Sequence, residues 1–189
     1  MQREEAIKII IENQIKDLTK EERENILMDW WVSKDSDLEF QNSPKILKKE
    51  ISESLKKEIE ENDNYSNPID KKYNPLILLG LYYDYRGVKN DYLENEILRI
   101  KEEKTIVVGE VEILEECPCC GYRTLDEKCD WDICKVCFWE DDCTTKLDKI
   151  SGPNHITLRE GQENFLKFGA CDEKSLKFVN REGKLKYKK

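Results

Sequence analysis

Long apolar stretches are what this chain most clearly lacks. Hydrophobic residues make up 38% of it and charged residues 39%, and its mean hydropathy is −0.78. Its longest apolar run, residues 76–83, is far shorter than the roughly 20 residues that a membrane-spanning helix needs. The composition therefore predicts no membrane helix and only a modest hydrophobic core, for which a metal or disulfides would supply extra stability.

The opening residues also lack the apolar segment of a secretion signal, because residues 1–5 lead directly into a helical pattern. We therefore expect a cytoplasmic, reduced protein. In that environment cysteines, of which this chain has eight, serve as metal ligands more often than as disulfide partners.

Acidic residues outnumber basic residues over most of the chain. The net charge is −9, yet residues 174–189 hold seven basic residues against one acidic residue, which gives +6 and leaves −15 for residues 1–173. An acidic body disfavours contact with nucleic acid and attracts basic proteins over a long range, an attraction that salt weakens. The same charge is also compatible with a role in solubility alone.

Four cysteines have the spacing of a metal site. Cys117 and Cys120 form one C-x-x-C pair, and Cys134 and Cys137 form a second pair fourteen residues after the first. Two such pairs, each on a short turn, can surround one Zn²⁺ ion with four thiolates at about 2.3 Å. Because four protein ligands leave no open position for a substrate, the predicted zinc site is structural.

Helical periodicity dominates the first hundred residues. Apolar residues recur every three or four positions in residues 3–18, from 43 to 59 and from 90 to 100. Thr19 to Glu22 form a capping box for a second helix, whose Trp30 and Trp31 are predicted core anchors. Residues 75–83 form the most apolar helix, in which Gly80 would permit close packing. Residues 34–42 and 61–74 are predicted loops.

The pattern changes to alternation at residue 105. Residues 106–113 predict a strand that leads into the first cysteine pair, and residues 122–131 predict a second strand or turn. Thr157 to Glu160 then form a capping box for a helix that Gly169 ends. The predicted fold class is α+β. It comprises a helical bundle over 1–104, a zinc-ribbon-like unit over 105–170 and a basic tail over 171–189. The tail is predicted to form a strand pair or a frayed end.

Three segments carry a family resemblance. Residues 117–122 read Cys-Pro-Cys-Cys-Gly-Tyr, residues 133–142 run from Ile-Cys through Cys-Phe-Trp-Glu-Asp-Asp, and residues 151–155 read Ser-Gly-Pro-Asn-His. Together they resemble the bacterial cysteine-rich CPCC family over about residues 115–170, and residues 73–93 resemble the helical region that precedes this domain in longer members. The resemblance implies zinc binding and assigns no reaction. Cys129 and Cys143 are additions to the family pattern.

The remaining candidate site residues admit two interpretations. His155 is the only histidine, and with Asp141 and Asp142 it can form a divalent-ion site of oxygen and nitrogen ligands. A lone histidine near a helix start is more often structural, and such acidic runs are more often solvated loops. Cys119 lies between two predicted ligands and is expected to be a small buried side chain. We expect the same of the three cysteines without paired spacing, which are Cys129, Cys143 and Cys171.

These features favour a non-enzymatic protein over an enzyme. Our leading hypothesis is a bacterial, zinc-stabilised module that binds another protein, in its most concrete form an immunity or antitoxin-type inhibitor of a basic partner. One alternative is a metal-dependent hydrolase that uses Asp141, Asp142 and His155. The other is a nucleic-acid-associated zinc ribbon, which would depend on the basic tail, because the aromatic residues Phe138 and Trp139 lie among acidic neighbours. The sequence determines neither the partner nor the oligomeric state.

Overall fold

The computed structural model describes residues 1–32 and 44–189, which divide into two compact units. The first unit contains residues 1–86 and 93–110, and the second contains residues 87–92 and 111–189. The described residues form eight α-helices and one two-stranded antiparallel sheet. This arrangement confirms the predicted α+β class. The predicted loop at residues 34–42 lies outside the described residues.

The first unit is helical. Its elements are α1 (Arg3–Gln14), α2 (Lys20–Val32), α3 (Lys45–Lys48), α4 (Glu53–Glu61), a 3₁₀ turn (Lys71–Tyr73), α5 (Asn74–Tyr83) and most of α6 (Asn90–Lys101). Helix α5 contacts α1, α2 and α3 and buries side chains on all sides, as a helix without a polar face must. A Cβ on Gly80 would lie 2.5 Å from Cγ2 of Ile26, so glycine allows the close packing that was predicted. Among the helices of the described residues, none is long and apolar enough to cross a membrane.

Local sequence signals place several helix boundaries in this unit. The backbone N–H of Thr19 donates to Glu22 Oε2 at 2.7 Å, and the N–H of Glu22 donates to Thr19 Oγ1 at 3.3 Å, which confirms the first capping box. Trp30 and Trp31 are buried, as predicted. The single helix predicted after residue 43 is instead two helices, because Ser52 caps a new start at α4.

The strand predicted over residues 106–113 is wrong. The backbone there pairs at one position only, where Val108 forms an isolated bridge with Gln2. Ile106 and Ile113 are 71% and 90% exposed, whereas Val107 is buried. Because the faces of an extended chain alternate at every residue, Ile106 and Ile113 lie on opposite faces, so the segment has no single buried face.

The second unit contains the small sheet and the C-terminal helices. Its elements are β1 (Glu115–Glu116), β2 (Arg123–Leu125), α7 (Leu158–Phe168), a 3₁₀ turn (Glu173–Lys177) and α8 (Gly183–Lys186). The capping box at Thr157 is present, and Gly169 ends α7 with a φ of 93°, so both predictions are confirmed. Leu166, near the end of α7, is 81% exposed.

The last residues of the chain pack within the second unit. They form neither the predicted strand pair nor a frayed end, because Tyr187 is buried and the N–H of Arg123 in β2 donates to the carbonyl of Lys188 at 2.9 Å. Residues 87–92 join the same region, where the N–H of Lys89 donates to the carbonyl of Lys186 at 2.9 Å. The basic C-terminal segment is therefore an integral part of this unit.

Candidate metal centre

The first cysteine pair lies on the turn of the β1–β2 hairpin. The N–H of Cys117 donates to the carbonyl of Tyr122, and the N–H of Gly121 donates back to the carbonyl of Cys117, both at 2.9 Å. This tight turn requires a positive φ at Gly121, 76°, which glycine adopts without a steric penalty. The turn presents the side chains of Cys117 and Cys120 to the same side.

The second pair repeats this turn seventeen residues later. The N–H of Cys134 donates to the carbonyl of Trp139, and the N–H of Phe138 donates to the carbonyl of Cys134, both at 2.8 Å. Phe138 has a φ of 67° and takes the place that Gly121 has in the first turn. The sequence signal for this repeated turn is the shared pattern C-x-x-C-x-aromatic, which ends at Tyr122 and at Trp139.

The two turns bring four sulfur atoms together. Cys117 Sγ lies 3.7 Å from Cys137 Sγ, and Cys120 Sγ lies 3.5 Å from Cys134 Sγ. All four lie within 4.8 Å of one another, and all four residues are buried. A tetrahedral ion with metal–sulfur distances of about 2.3 Å requires sulfur–sulfur separations of about 3.8 Å. The donor set and its dimensions therefore fit a single metal ion.

Hydrogen bonds converge on one sulfur of this cluster. Thr124 Oγ1 donates to Cys134 Sγ at 3.0 Å, and the N–H of Val136 approaches the same sulfur at 3.4 Å. Burial raises the pKa of Cys134, but the neighbouring thiols and Thr124 donate hydrogen bonds that lower it well below the ordinary value. Among the four thiols, Cys134 is therefore the one whose surroundings favour the thiolate.

The other three thiols keep their protons. Hydrogen bonding with Cys120 raises the pKa of Cys117, and burial raises the pKa of Cys137. For Cys120, the hydrogen bond with Cys117 acts in the opposite direction, but its contacts with Cys134 and Cys137 outweigh it and raise the pKa. The surroundings thus favour the protonated form of Cys117, Cys120 and Cys137 and the thiolate form of Cys134.

Helix α7 covers the first turn. A Cβ on Gly161 would lie 2.8 Å from Cζ3 of Trp139 and 3.3 Å from Sγ of Cys119, so only glycine lets the helix approach this closely. Gln162 Nε2 also donates to the carbonyl of Pro118 at 3.0 Å. Cys119 is buried beneath this helix and lies outside the four-sulfur cluster, which confirms the prediction of a small buried side chain.

The C-terminal segment covers the second turn. The N–H of Cys171 donates to the carbonyl of Cys137 at 2.8 Å, and a Cβ on Gly183 would lie 3.2 Å from the carbonyl oxygen of Lys135. Cys171 is a buried free thiol, as predicted, and burial raises its pKa to about 11. The cluster is thus enclosed by segments that follow it in the chain.

The prediction that Cys129 and Cys143 are buried thiols is wrong. They form a disulfide, and both residues are exposed. The backbone N–H of Cys129 donates to Oδ2 of Asp141 at 2.9 Å, which holds the two segments together beside the bond. Their positions on either side of the second C-x-x-C pair are the only sign of this link in the sequence.

The carboxylates of Asp141 and Asp142 accept hydrogen bonds from backbone N–H groups of this region. Asp142 Oδ2 accepts a hydrogen bond from the N–H of Gly152 at 3.0 Å, and its Oδ1 accepts one from the N–H of Thr144 at 3.2 Å. Burial raises the pKa of Asp142, but these bonds and the nearby hydroxyl groups of Thr144 and Ser151 outweigh it, so the pKa is lowered. Asp141 is buried, and its carboxylate contacts Cys129 as described.

The segment 151–155 holds the backbone of Glu140 in place through hydrogen bonds. Asn154 Nδ2 donates to the carbonyl of Glu140 at 2.8 Å, and Asn154 Oδ1 accepts from the N–H of Glu140 at 3.0 Å, so this amide pairs like a strand residue. His155 is exposed, has a φ of 58° and donates its backbone N–H to the carbonyl of Ser151. In the described part of the chain, the four cysteines form a group of ligand atoms this close, and the trio Asp141, Asp142 and His155 does not form another.

The region of this centre matches one known family model. Residues 115–184 match the family model described as Cysteine-rich CPCC. The match includes both turns and α7, and it extends past residue 170, where the recognised resemblance stopped. No curated protein and no solved structure matches the chain.

Proposed function

We propose that this protein is a non-catalytic module, stabilised by one Zn²⁺ ion, that binds another protein. The observation that carries the proposal is the enclosure of the four sulfurs, since all four cysteines are no more than 4% exposed. Four thiolates complete the tetrahedral shell of the metal, so neither water nor a substrate gains a coordination position. The metal then supplies folding stability, and function resides on the protein surface.

Zinc is the ion that this donor set favours. Thiolates are soft ligands and select Zn²⁺, Cu(I) or iron. Four cysteines in two C-x-x-C pairs at tetrahedral spacing are typical of structural zinc sites. Zinc undergoes no redox change, which suits a centre whose role is to hold two turns together.

The charge of the chain supports a basic protein partner. Residues 1–173 carry −15, and like-charge repulsion would keep nucleic acid away from this part of the chain. A complementary basic surface would be attracted over about one Debye length, roughly 8 Å at physiological ionic strength. An inhibitor of a basic toxin, of the immunity or antitoxin type, is the concrete form of this proposal.

Affinity purification of the full chain from its native host tests the proposal. We expect one zinc per chain and one stoichiometric basic protein at low salt, which high salt releases. Native mass spectrometry measures the metal count and the partner together. A single metal-loaded chain without any protein partner at low salt would contradict the binding role, and a second metal that persists after the cysteines are alkylated would point to hydrolase chemistry instead.

A further inference from the structure

One tryptophan of the chain is exposed to solvent. Trp131 is 60% exposed, whereas Trp30, Trp31 and Trp139 are at most 6% exposed. Tryptophan contributes more binding energy than most residues when an interface covers it. Trp131 precedes the second cysteine turn, in the segment that the disulfide ties down.

The segment around Trp131 is held in a fixed shape. The N–H of Trp131 donates to the carbonyl of Asp141 at 3.1 Å, and the N–H of Cys129 donates to the carboxylate of the same residue at 2.9 Å. The N–H of Asp126 donates to Asp132 Oδ2 at 2.7 Å. Together with the disulfide, these bonds restrain the backbone from which the indole projects.

This shape is also strained. Cys129, Trp131 and Cys143 have φ values of 66°, 64° and 66°, in the left-handed region that side chains with a Cβ avoid. Residues held in this region are strained, and such strain concentrates where a protein binds ligands or undergoes switching. A loop whose only task was to connect two elements would be expected to place glycine at these positions.

Negative charge surrounds the exposed indole. Residues 126–142 contain seven acidic and two basic residues, a net charge of −5. Asp126, Glu127 and Asp130 are exposed, and so is the apolar side chain of Ile133. An aromatic face in an acidic surrounding is the arrangement that binds a cationic side chain, through cation–π attraction and charge.

We propose that Trp131 and the acidic loop of residues 126–133 form a docking surface for an arginine- or lysine-rich segment of a partner protein. A guanidinium or ammonium group stacks on the indole, and the carboxylates of Asp126, Glu127 and Asp130 pair with neighbouring cations. This inference deepens the proposed binding function and rests on it. It assigns that function to one loop of the second unit.

The test uses the full-length, zinc-loaded, oxidised protein and an oligoarginine peptide as the probe. Tryptophan fluorescence and calorimetry measure binding at low and at physiological salt. We expect Trp131→Ala to weaken binding about tenfold, because a partly desolvated cation–π contact contributes about 1–2 kcal/mol. Trp131→Phe should restore most of the affinity. Leu166→Ala, which removes another exposed apolar side chain, is the matched control and should leave affinity unchanged.

The outcomes separate this inference from the broader proposal. If Trp131→Ala binds oligoarginine as tightly as the parent chain, binding is diffuse electrostatic attraction and the docking surface is wrong. If the basic protein that co-purifies still binds Trp131→Ala with full affinity, the loop is wrong while the binding function stands. If the chain dimerises and Trp131→Ala abolishes the dimer, the occupant is a second copy and the basic partner is overturned. Zinc content and thermal melting confirm that each variant is folded.

Discussion

Cys134 and Cys119, which lie on the two neighbouring cysteine turns, have different environments. Cys134 Sγ accepts hydrogen bonds and lies among three other sulfurs, whereas Cys119 Sγ packs against the glycine face of α7. Both residues are buried. At the scale of single residues, burial therefore does not identify a ligand, and the direction of the side chain does.

This contrast yields a prediction for the metal. Cys134→Ser should lower the zinc content from about one ion per chain towards zero, because the serine hydroxyl keeps its proton at neutral pH and does not replace a thiolate. Since structural zinc contributes on the order of 10 kcal/mol or more to folding, cooperative unfolding should also be lost or shifted far down in temperature. Elemental analysis and thermal melting measure both effects.

Cys119→Ser is the matched control for this experiment. It removes a buried thiol of the same size from the other cysteine turn, and it should retain the zinc while destabilising the fold by about 1 kcal/mol through its polar hydroxyl. Loss of the metal from Cys119→Ser, or its retention by Cys134→Ser, would mean that the ligand set is assigned incorrectly.

At the scale of elements, α7 determines how tightly the centre is closed. Gly161→Ala should destabilise the protein by about 1–3 kcal/mol, because the new methyl group would overlap the buried ring of Trp139 and the sulfur of Cys119. Leu166→Ala, in the same helix but exposed, should change the free energy of unfolding by less than about 0.5 kcal/mol. Urea denaturation of both variants measures the difference, and equal stabilities would show that α7 does not pack closely on the centre.

The disulfide closes a second element, the loop around the second cysteine turn. Replacing Cys129 and Cys143 together with serine should lower the free energy of unfolding by up to about 3 kcal/mol, the value for a loop of about 15 residues. The bound metal should stay, since neither residue belongs to the four-sulfur group. Urea denaturation with zinc analysis measures both quantities, and loss of zinc from the double variant would contradict this separation of roles.

Elements with local signals could be predicted from the sequence. The capping boxes at Thr19 and Thr157 require only residues three positions apart, so their hydrogen bonds follow from the chain itself. The cysteine spacing likewise determines which four sulfurs can meet. The prediction of a strand over 106–113 was wrong because apolar residues occupy both alternating faces of that segment. Only tertiary packing determines that Val107 is buried and Ile106 is exposed. The disulfide could not be predicted, because the spacing of Cys129 and Cys143 matches no known pairing pattern.

At the scale of the whole molecule, the centre couples folding to pH. The pKa values of Cys117, Cys120 and Cys137 are raised in the metal-free protein, so these thiols are protonated at neutral pH and must lose their protons to bind a metal. We expect the release of about three protons per zinc, and a fall in affinity of about a thousandfold for each unit that the pH is lowered. Titration in weak buffer counts the protons, and competition with a chelator at two pH values measures the affinity. Release of fewer than one proton would show that the cluster is already ionised before it binds the metal.

The order of segments along the chain has a consequence for how the protein is made. Both cysteine turns precede the segments that enclose them, which begin with α7 at Leu158 and continue to Lys188. At a synthesis rate of about 5–20 residues per second, the roughly fifty residues after Cys137 take on the order of several seconds to add. The nascent chain thus has an interval in which four thiols are accessible to an incoming ion. After that interval the ion is enclosed, and exchange with the cellular metal pool requires the cover to open.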